Sequence, residues 1–504
     1  MFLLFLAQDN TIHVNTRLVQ VDVVVRDKNG PVTDLTKDDF TVLDNGKAQR
    51  IDVFSVFTAH GANAQPAAPP LKPGTISNRR DSQTETPASA TVILFDMLNT
   101  ALQYQTDAMK QLLRYLKSLD KEDRVALYIL ENDLHVVQDF TSDPDTLIRA
   151  AADIKLGEVA GSELRTVREL VRALAVGRGN RSTFRAAVAM SNISRAQRTD
   201  PTADAIEAIA RHLAGLPGRK SLVWMSANIP LTPVTGTSRD GKESQIDRAA
   251  RMLNEANVAI YPVDIRGLVA PDPPAGRGRR GAALESYLPP DAMVRLADAT
   301  GGRAAFFNND LEGAVRSAVD DGQVSYTLGF YLADGAFDEK FHKLTVKTVR
   351  KGADISHRAG YYANKDPNPS NQERRSILED LLNSPLDAMQ IGLSARAVPD
   401  PQKPGTFNVD VTIDTSDVHM EHRDDRWIAQ LDLAVRTESS TDASLKMQSL
   451  PISLTEERFK TAMQRGMVFA QVATANGPND RLRIVIQDPS TGHTGSIWIP
   501  LTEK

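Results

Sequence analysis

The segment Ala90–Thr100, ATVILFDMLNT, constrains this chain most. An apolar run ends in the carboxylate of Asp96, short polar residues follow, and a helix-period segment over Tyr104–Leu119 comes next. A short apolar run that stops at a turn reads as a strand buried on both faces of a parallel sheet. Open α/β sheets hold their ligands at the carboxyl ends of such strands. Asp96 is therefore predicted at the ligand-facing edge of a sheet.

The pattern around it alternates strand and helix. Arg124–Glu131 and His135–Asp139 read as strands, and Pro144–Ile154, Ser162–Val176 and much of Ser182–Ser191 as helices. Helix Thr202–Ala214 leads into strand Ser221–Met225, and helix Gln245–Asn257 into strand Val258–Val263. Pro290–Ala299 and Asp310–Val319 are the last predicted helices. Such alternation implies a mostly parallel, doubly wound sheet joined by right-handed crossovers.

At 504 residues the chain exceeds a single ordinary core, so about three domains are expected. Residues 11–58 read as a small β domain, with alternation over Arg17–Arg26 and a hairpin signal at Asp44-Asn45-Gly46. Residues 59–89 are rich in Pro, Ala, Ser and Gly and read as a flexible linker. The α/β domain spans 90–363, with a β extension over about 323–363, and a linker with a short helix covers 364–386. Residues 387–504 show period-two strands at regular spacing, which suggests an immunoglobulin-like β-sandwich. Residues 1–10, MFLLFLAQDN, have the look of a signal-peptide remnant without its basic start.

The stretch from Ala90 to Tyr362 resembles the von Willebrand factor A (VWA) domain, and most closely the VWFA-related branch common in acidobacteria. LVWMSANIP (Leu222–Pro230) and VAIYPVDIRGL resemble that family's fourth and fifth strands, and Arg358-Ala359-Gly360-Tyr361-Tyr362 its R-x-G-Y-Y ending. Asp38-Asp39-Phe40 and the DNG turn resemble the β domain that precedes it. The resemblance implies a metal-ion-dependent adhesion site (MIDAS), in which D-x-S-x-S, a loop Thr and a fourth-strand Asp hold Mg²⁺ through oxygens and waters. Asp96 and Thr100 match the first and last positions of D-x-S-x-S, whereas Leu98 replaces the middle Ser and cannot ligate. Asn99 lies one residue off, Thr199 or Thr202 would be the loop Thr, and Ala227 stands where the acid belongs. The implied site is therefore degenerate, with Asp96, Asn99, Thr100 and Thr202 as the remaining metal candidates. A plain role for Asp96 beside a helix N-terminus stays open, as does N-capping for either Thr.

Composition narrows the functions. The chain has no cysteine, which excludes disulfides, thiol catalysis and thiolate metal sites. A net charge of −5 offers no field for nucleic acid, and beyond the N-terminus no apolar run reaches membrane-spanning length. Three motif matches fail on context. Gly276–Gly281 (GRGRRG) fits G-x-G-x-x-G, yet a Pro-rich stretch separates it from any strand. Ser118–Lys121 fits S-x-x-K at a frayed helix end. His419 and His422 lie in a charged, turn-like segment. No enzyme activity is expected.

The function expected is a non-catalytic, extracytoplasmic protein-interaction or adhesion role, with a protein rather than a small molecule as partner. Its contact surface would centre on Asp96, Thr100 and Asn228. The alternatives are Mg²⁺-dependent binding through an unorthodox MIDAS and a hydrolase within the C-terminal domain.

Overall fold

The structure is a computed structural model. It describes residues 18–58, 71–79, 90–157, 201–227, 245–267, 291–363 and 370–502, apart from 29, 72, 121–122, 217, 307–309, 333–337, 339, 439–442, 476 and 478. The predicted helices at 162–176 and 182–191, the Gly276–Gly281 loop and residues 1–10 lie outside the described residues.

The chain opens with β1 (Leu18–Asp27), β2 (Gly30–Pro31), β3 (Phe40–Asp44), β4 (Lys47–Gln49) and β5 (Val53–Thr58), followed by β6 (Ile76–Ser77). The α/β region comprises β7 (Ala90–Asp96), α1 (Leu102–Lys117), β8 (Val125–Leu130), β9 (Leu134–Thr141) and α2 (Pro144–Ala152). It continues with α3 (residues 201–214), β10 (Lys220–Ser226), α4 (Gln245–Glu255), β11 (Val258–Asp264), α5 (Asp291–Thr300) and α6 (Leu311–Gln323). Then come β12 (Val324–Tyr331), β13 (Phe341–Thr348), β14 (Asp354–His357) and β15 (Gly360–Tyr362). The remainder is α7 (Asn371–Asn383), β16 (Leu393–Pro399), β17 (Thr406–Ile413), β18 (Glu421–Arg423), β19 (Arg426–Glu438), β20 (Ala443–Thr455), α8 (Glu456–Arg465), β21 (Met467–Thr474), β22 (Arg481–Gln487) and β23 (Thr494–Pro500).

The central sheet has the order β11-β10-β7-β8-β9. All neighbours are parallel except the edge strand β9, which is antiparallel to β8. Every residue of β7, β10 and β11 is buried, because helices cover both faces. Val92 and Leu94 pack with Ile206, Leu253 and Met293 of α3, α4 and α5. Ile93 and Phe95 face the opposite side, against Leu112, Leu147 and Val315 of α1, α2 and α6. Each such side chain contributes roughly 1.5–3 kcal/mol by leaving water, so a charge at Ile93 or Leu94 would break the layer. Numbered within the sheet, the strand order is 3-2-1-4-5. The crossovers diverge between its first and fourth strands, β7 and β10, and that divergence opens a crevice at their carboxyl ends.

The N-terminal strands do not stand alone. β1 pairs with β12 from Leu18↔Tyr331 to Val23↔Tyr326, and β3 pairs with β13 from Asp44↔Leu344 to Phe40↔Thr348. Residues expected as a separate β domain and residues expected as a β extension thus interleave in two sheets, β14-β1-β12-β5 and β15-β13-β3-β4. They share one core, with Val21, Val23 and Val42 against Tyr326, Leu328 and Val346. Each half supplies the partner for strand edges that the other would leave open. A buried ionic layer joins this unit to the α/β region. Asp321 on α6 accepts from Arg26 Nη1 at 2.6 Å and from Tyr261 Oη at 3.1 Å.

The C-terminal region forms two antiparallel sheets, β21-β17-β16-β6 and β18-β19-β22-β23, with β20 also on β19. Val409 and Val411 of the first meet Leu431, Leu433 and Ile484 of the second in one core. β6 falls inside the segment expected as a linker, and there the structure differs. Ser77 and Ile76 pair with Ser394 and Ala395 of β16. Buried Asn78 donates through Nδ2 to Ala388 O (2.8 Å) and Ile391 O (2.9 Å), and its Oδ1 accepts from Leu393 N (2.8 Å). Low apolar content hid this strap, because only Ile76 packs on the core and the polar side chains of Asn78 and Arg79 supply much of the anchor. Among the described residues, no helix is long and apolar enough to cross a membrane.

Candidate functional site

Asp96 is the last residue of β7 and is fully buried. Its neighbour across the switch point is β10, whose end supplies Trp224, Ser226 and Ala227. The loop that leaves β7 is held down by two bonds, Met97 N and Leu98 N both donating to Leu130 O at 2.9 Å. Met97 then enters the core under α1, and Leu98 the core on the opposite face. Leu98 is thus a packing residue.

The Asp96 carboxylate is surrounded by donors. Oδ1 accepts from Asn99 N (3.0 Å), while Oδ2 accepts from Asn99 Nδ2 (2.8 Å), Ser226 Oγ (2.9 Å) and Trp224 Nε1 (3.1 Å). Burial pushes its pKa up to about 6, and the bonds from Asn99, Ser226 and Trp224 pull the other way. The same Asn99 Nδ2 also donates to Thr202 Oγ1 at 3.0 Å. Thr202 is fully buried near the start of α3. Thr100 Oγ1 accepts from Ala227 N at 3.1 Å, and Gln105 Nε2 closes the loop on Thr100 O at 2.8 Å.

The fold therefore gathers Asp96, Asn99, Thr100, Thr202 and Ala227 at one edge. Asn228 and Thr199 lie outside the described residues. Two side chains escaped the sequence reading. Trp224 looked like ordinary strand core, although a buried indole N–H needs an acceptor, which was the available signal. The other is Asp264, the last residue of β11, which is buried and gripped by Arg266 through Nε (2.9 Å) and Nη2 (2.6 Å). Ile265 N donates to Ser226 O at 3.2 Å, so this ion pair flanks the Asp96 cluster.

A hexacoordinate Mg²⁺ needs oxygen lone pairs turned to a common point. The residues present do not fit it. Asp96 Oδ2 receives three donors, Asn99 offers an N–H₂ rather than an oxygen to Asp96, and Leu98 and Ala227 have no donor atom. Among the described residues no group of three or more His, Asp or Glu converges as a metal site.

Two further motif matches fall among the described residues. Ser118 Oγ donates to Tyr115 O at 2.8 Å and accepts from Arg316 Nη2 at 2.7 Å, closing the end of α1. His422 lies on β18 with its ring 5.0 Å from Trp427, which itself stacks on Phe459 at 4.0 Å. His419 and His422 are not on a helix.

No protein-family model matches the chain, and no curated protein matches it. Several solved structures do. BatB from Bacteroides thetaiotaomicron is 16% identical, covering 46% of this chain and 98% of its own, with a TM-score of 0.27. The vWF domain of the pili tip protein Mfa5 from Porphyromonas gingivalis is 10% identical, covering 46% and 93%, with a TM-score of 0.23. A von Willebrand factor type A protein from Catenulispora acidiphila is 10% identical and covers 90% of this chain and 73% of its own, with a TM-score of 0.25. At these scores the fold description rests on the strand order itself.

Proposed function

We propose that this chain is a non-catalytic, VWA-like binding protein that works outside the cytoplasm, flanked by β units of which the C-terminal one is a sandwich. Its contact surface is the carboxyl edge of the central sheet, and contact there is independent of metal. The observation that carries the metal-independent part of the reading is the Asn99 side chain, whose amide donates to both Asp96 and Thr202. Those are the two oxygen-bearing residues between which the resemblance calls for a cation. An amide N–H₂ presents partial positive charge to both oxygens without any ion. The strand order supports the same reading, since it sets the first-strand motif beside the end of the fourth strand. Localisation and a protein partner of adhesion type follow from the resemblance.

The test is a thermal melt of metal-stripped protein with and without millimolar Mg²⁺ or Mn²⁺. A ligand that binds only the folded state raises stability by mass action, about 2.7 kcal/mol at a hundredfold excess over its Kd. The expected result is an unchanged melting temperature. A saturable rise that disappears in Asp96→Asn would replace this reading with the metal-dependent one.

A further inference from the structure

In the C-terminal unit one strand edge has no partner among the described residues. Among the described residues, β21 (MVFAQVAT) has β17 as its one strand partner, from Met467↔Ile413 to Thr474↔Thr406. Just beyond the strand, Ala475 N donates to Gly405 O at 2.7 Å in the same register. Hydrogen-bonded pairs alternate along an antiparallel ladder, so Met467, Phe469, Gln471 and Ala473 bond towards β17. Val468, Ala470, Val472 and Thr474 consequently turn their N–H and C=O groups to the open edge. Their side chains are exposed as well, Val468 and Val472 by 64% each.

Open edges are usually blunted by charge, proline or covering chain. The other edges of this unit follow that rule. β6 is two residues long and runs into Asn78 and Arg79, β18 is Glu-His-Arg, and β20 contains Lys446 and Pro451. β23 is covered, with Ser496 N donating to Ala388 O (2.9 Å) and Ile391 N to Thr494 O (3.0 Å). β21 has eight residues, no charge and no proline.

We infer that β21 is a self-association edge, at which two copies of this chain pair their β21 strands antiparallel about a two-fold axis through Ala470. In that register Ala470 faces its own symmetry mate, and Val468 faces the partner's Val472 on the same outer face. All three pairs use backbone groups that already point outward. Charge favours a second copy as occupant, because an uncharged strand meets no like charge in itself. The charges of the same cross-strand row, Asp410 on β17 and Arg396 on β16, lie inward of it. Asp410 and its symmetry mate would stand three strand spacings apart, about 14 Å. A junction of one strand edge is small, so the association is reversible and concentration-dependent.

The chain lacks cysteine, so a single introduced thiol reports the geometry. Full-length Ala470→Cys, treated at high protein concentration with a short bis-thiol crosslinker, should give a covalent dimer. Arg396→Cys, exposed on the same face but two strands inward, should not. By analytical ultracentrifugation the unmodified chain should shift towards twice its mass as concentration rises. Val468→Lys/Val472→Lys should stay monomeric with an unchanged melting curve. Equal crosslinking of both thiols, no crosslinking of Ala470→Cys, or a dimer that survives the lysine pair would each overturn the inference.

Discussion

Asn99 Nδ2 stands 2.8 Å from Asp96 Oδ2 and 3.0 Å from Thr202 Oγ1, one amide joining two buried oxygens that lie 106 residues apart in the chain. The joint closes the top of the sheet where the first strand meets the start of α3. The site is thereby built as a hydrogen-bonded cluster, and its behaviour follows from that construction.

Removing the amide should be costly without touching any surface. Asn99→Ala leaves the buried Asp96 and Thr202 oxygens each short of a donor. A buried polar group stripped of its partner costs about 1–3 kcal/mol. Denaturant unfolding should show a loss of that order with an unchanged m-value.

Replacing the amide with a carboxylate should create the metal dependence that the native chain is expected to lack. Asn99→Asp sets a second acid against Asp96 and removes two donors, so repulsion should lower the melting temperature markedly in chelator. Mg²⁺ should then recover part of the loss in this variant and none in the native protein. Melting curves in EDTA and in Mg²⁺ decide it.

The pH dependence has a definite sign. Burial raises the Asp96 pKa to about 6, above the usual 3.8 of an unfolded carboxyl. The folded state therefore holds this proton more tightly. Its contribution is complete below pH 4 and is lost as pH rises through about 6. Relative to Asp96→Asn, the native chain should lose on the order of 2–3 kcal/mol between pH 4 and pH 7. Paired urea titrations across that range measure the difference, and parallel curves for the two proteins would contradict it.

The strap at Asn78 should matter more than its linker-like sequence suggests. Asn78→Ala deletes three buried hydrogen bonds to Ala388, Ile391 and Leu393. A loss of about 2–3 kcal/mol is expected, together with faster proteolytic cleavage between residues 71 and 79. Arg79, which donates to Met389 O at 3.0 Å and Gln390 O at 3.0 Å, keeps part of the anchor.

The central sheet was legible because its strands are buried on both faces and read as unbroken apolar runs. Val92–Asp96 and Ser221–Met225 fall inside β7 and β10 for that reason. The cluster was legible only in its parts. Asp96, Asn99 and Thr202 could be marked as polar residues near strand or helix ends, but the sharing of one amide between two of them depends on side-chain geometry that no spacing encodes. Trp224 was missed because a tryptophan in an apolar strand satisfies the periodicity by itself. The joining of β1 to β12 and of β6 to β16 was hidden for another reason. Pairing between segments hundreds of residues apart leaves no local pattern, and β6 is too short to show any period.

The most direct measurement is a calorimetric titration of Mg²⁺, then Mn²⁺, into metal-stripped protein, with Asp96→Asn as the control. Asn99 in the bridging position should yield no saturable heat beyond that of the control. Stoichiometric binding that vanishes in Asp96→Asn would contradict the account and would show that Asp96 exchanges its hydrogen-bond donors for a cation.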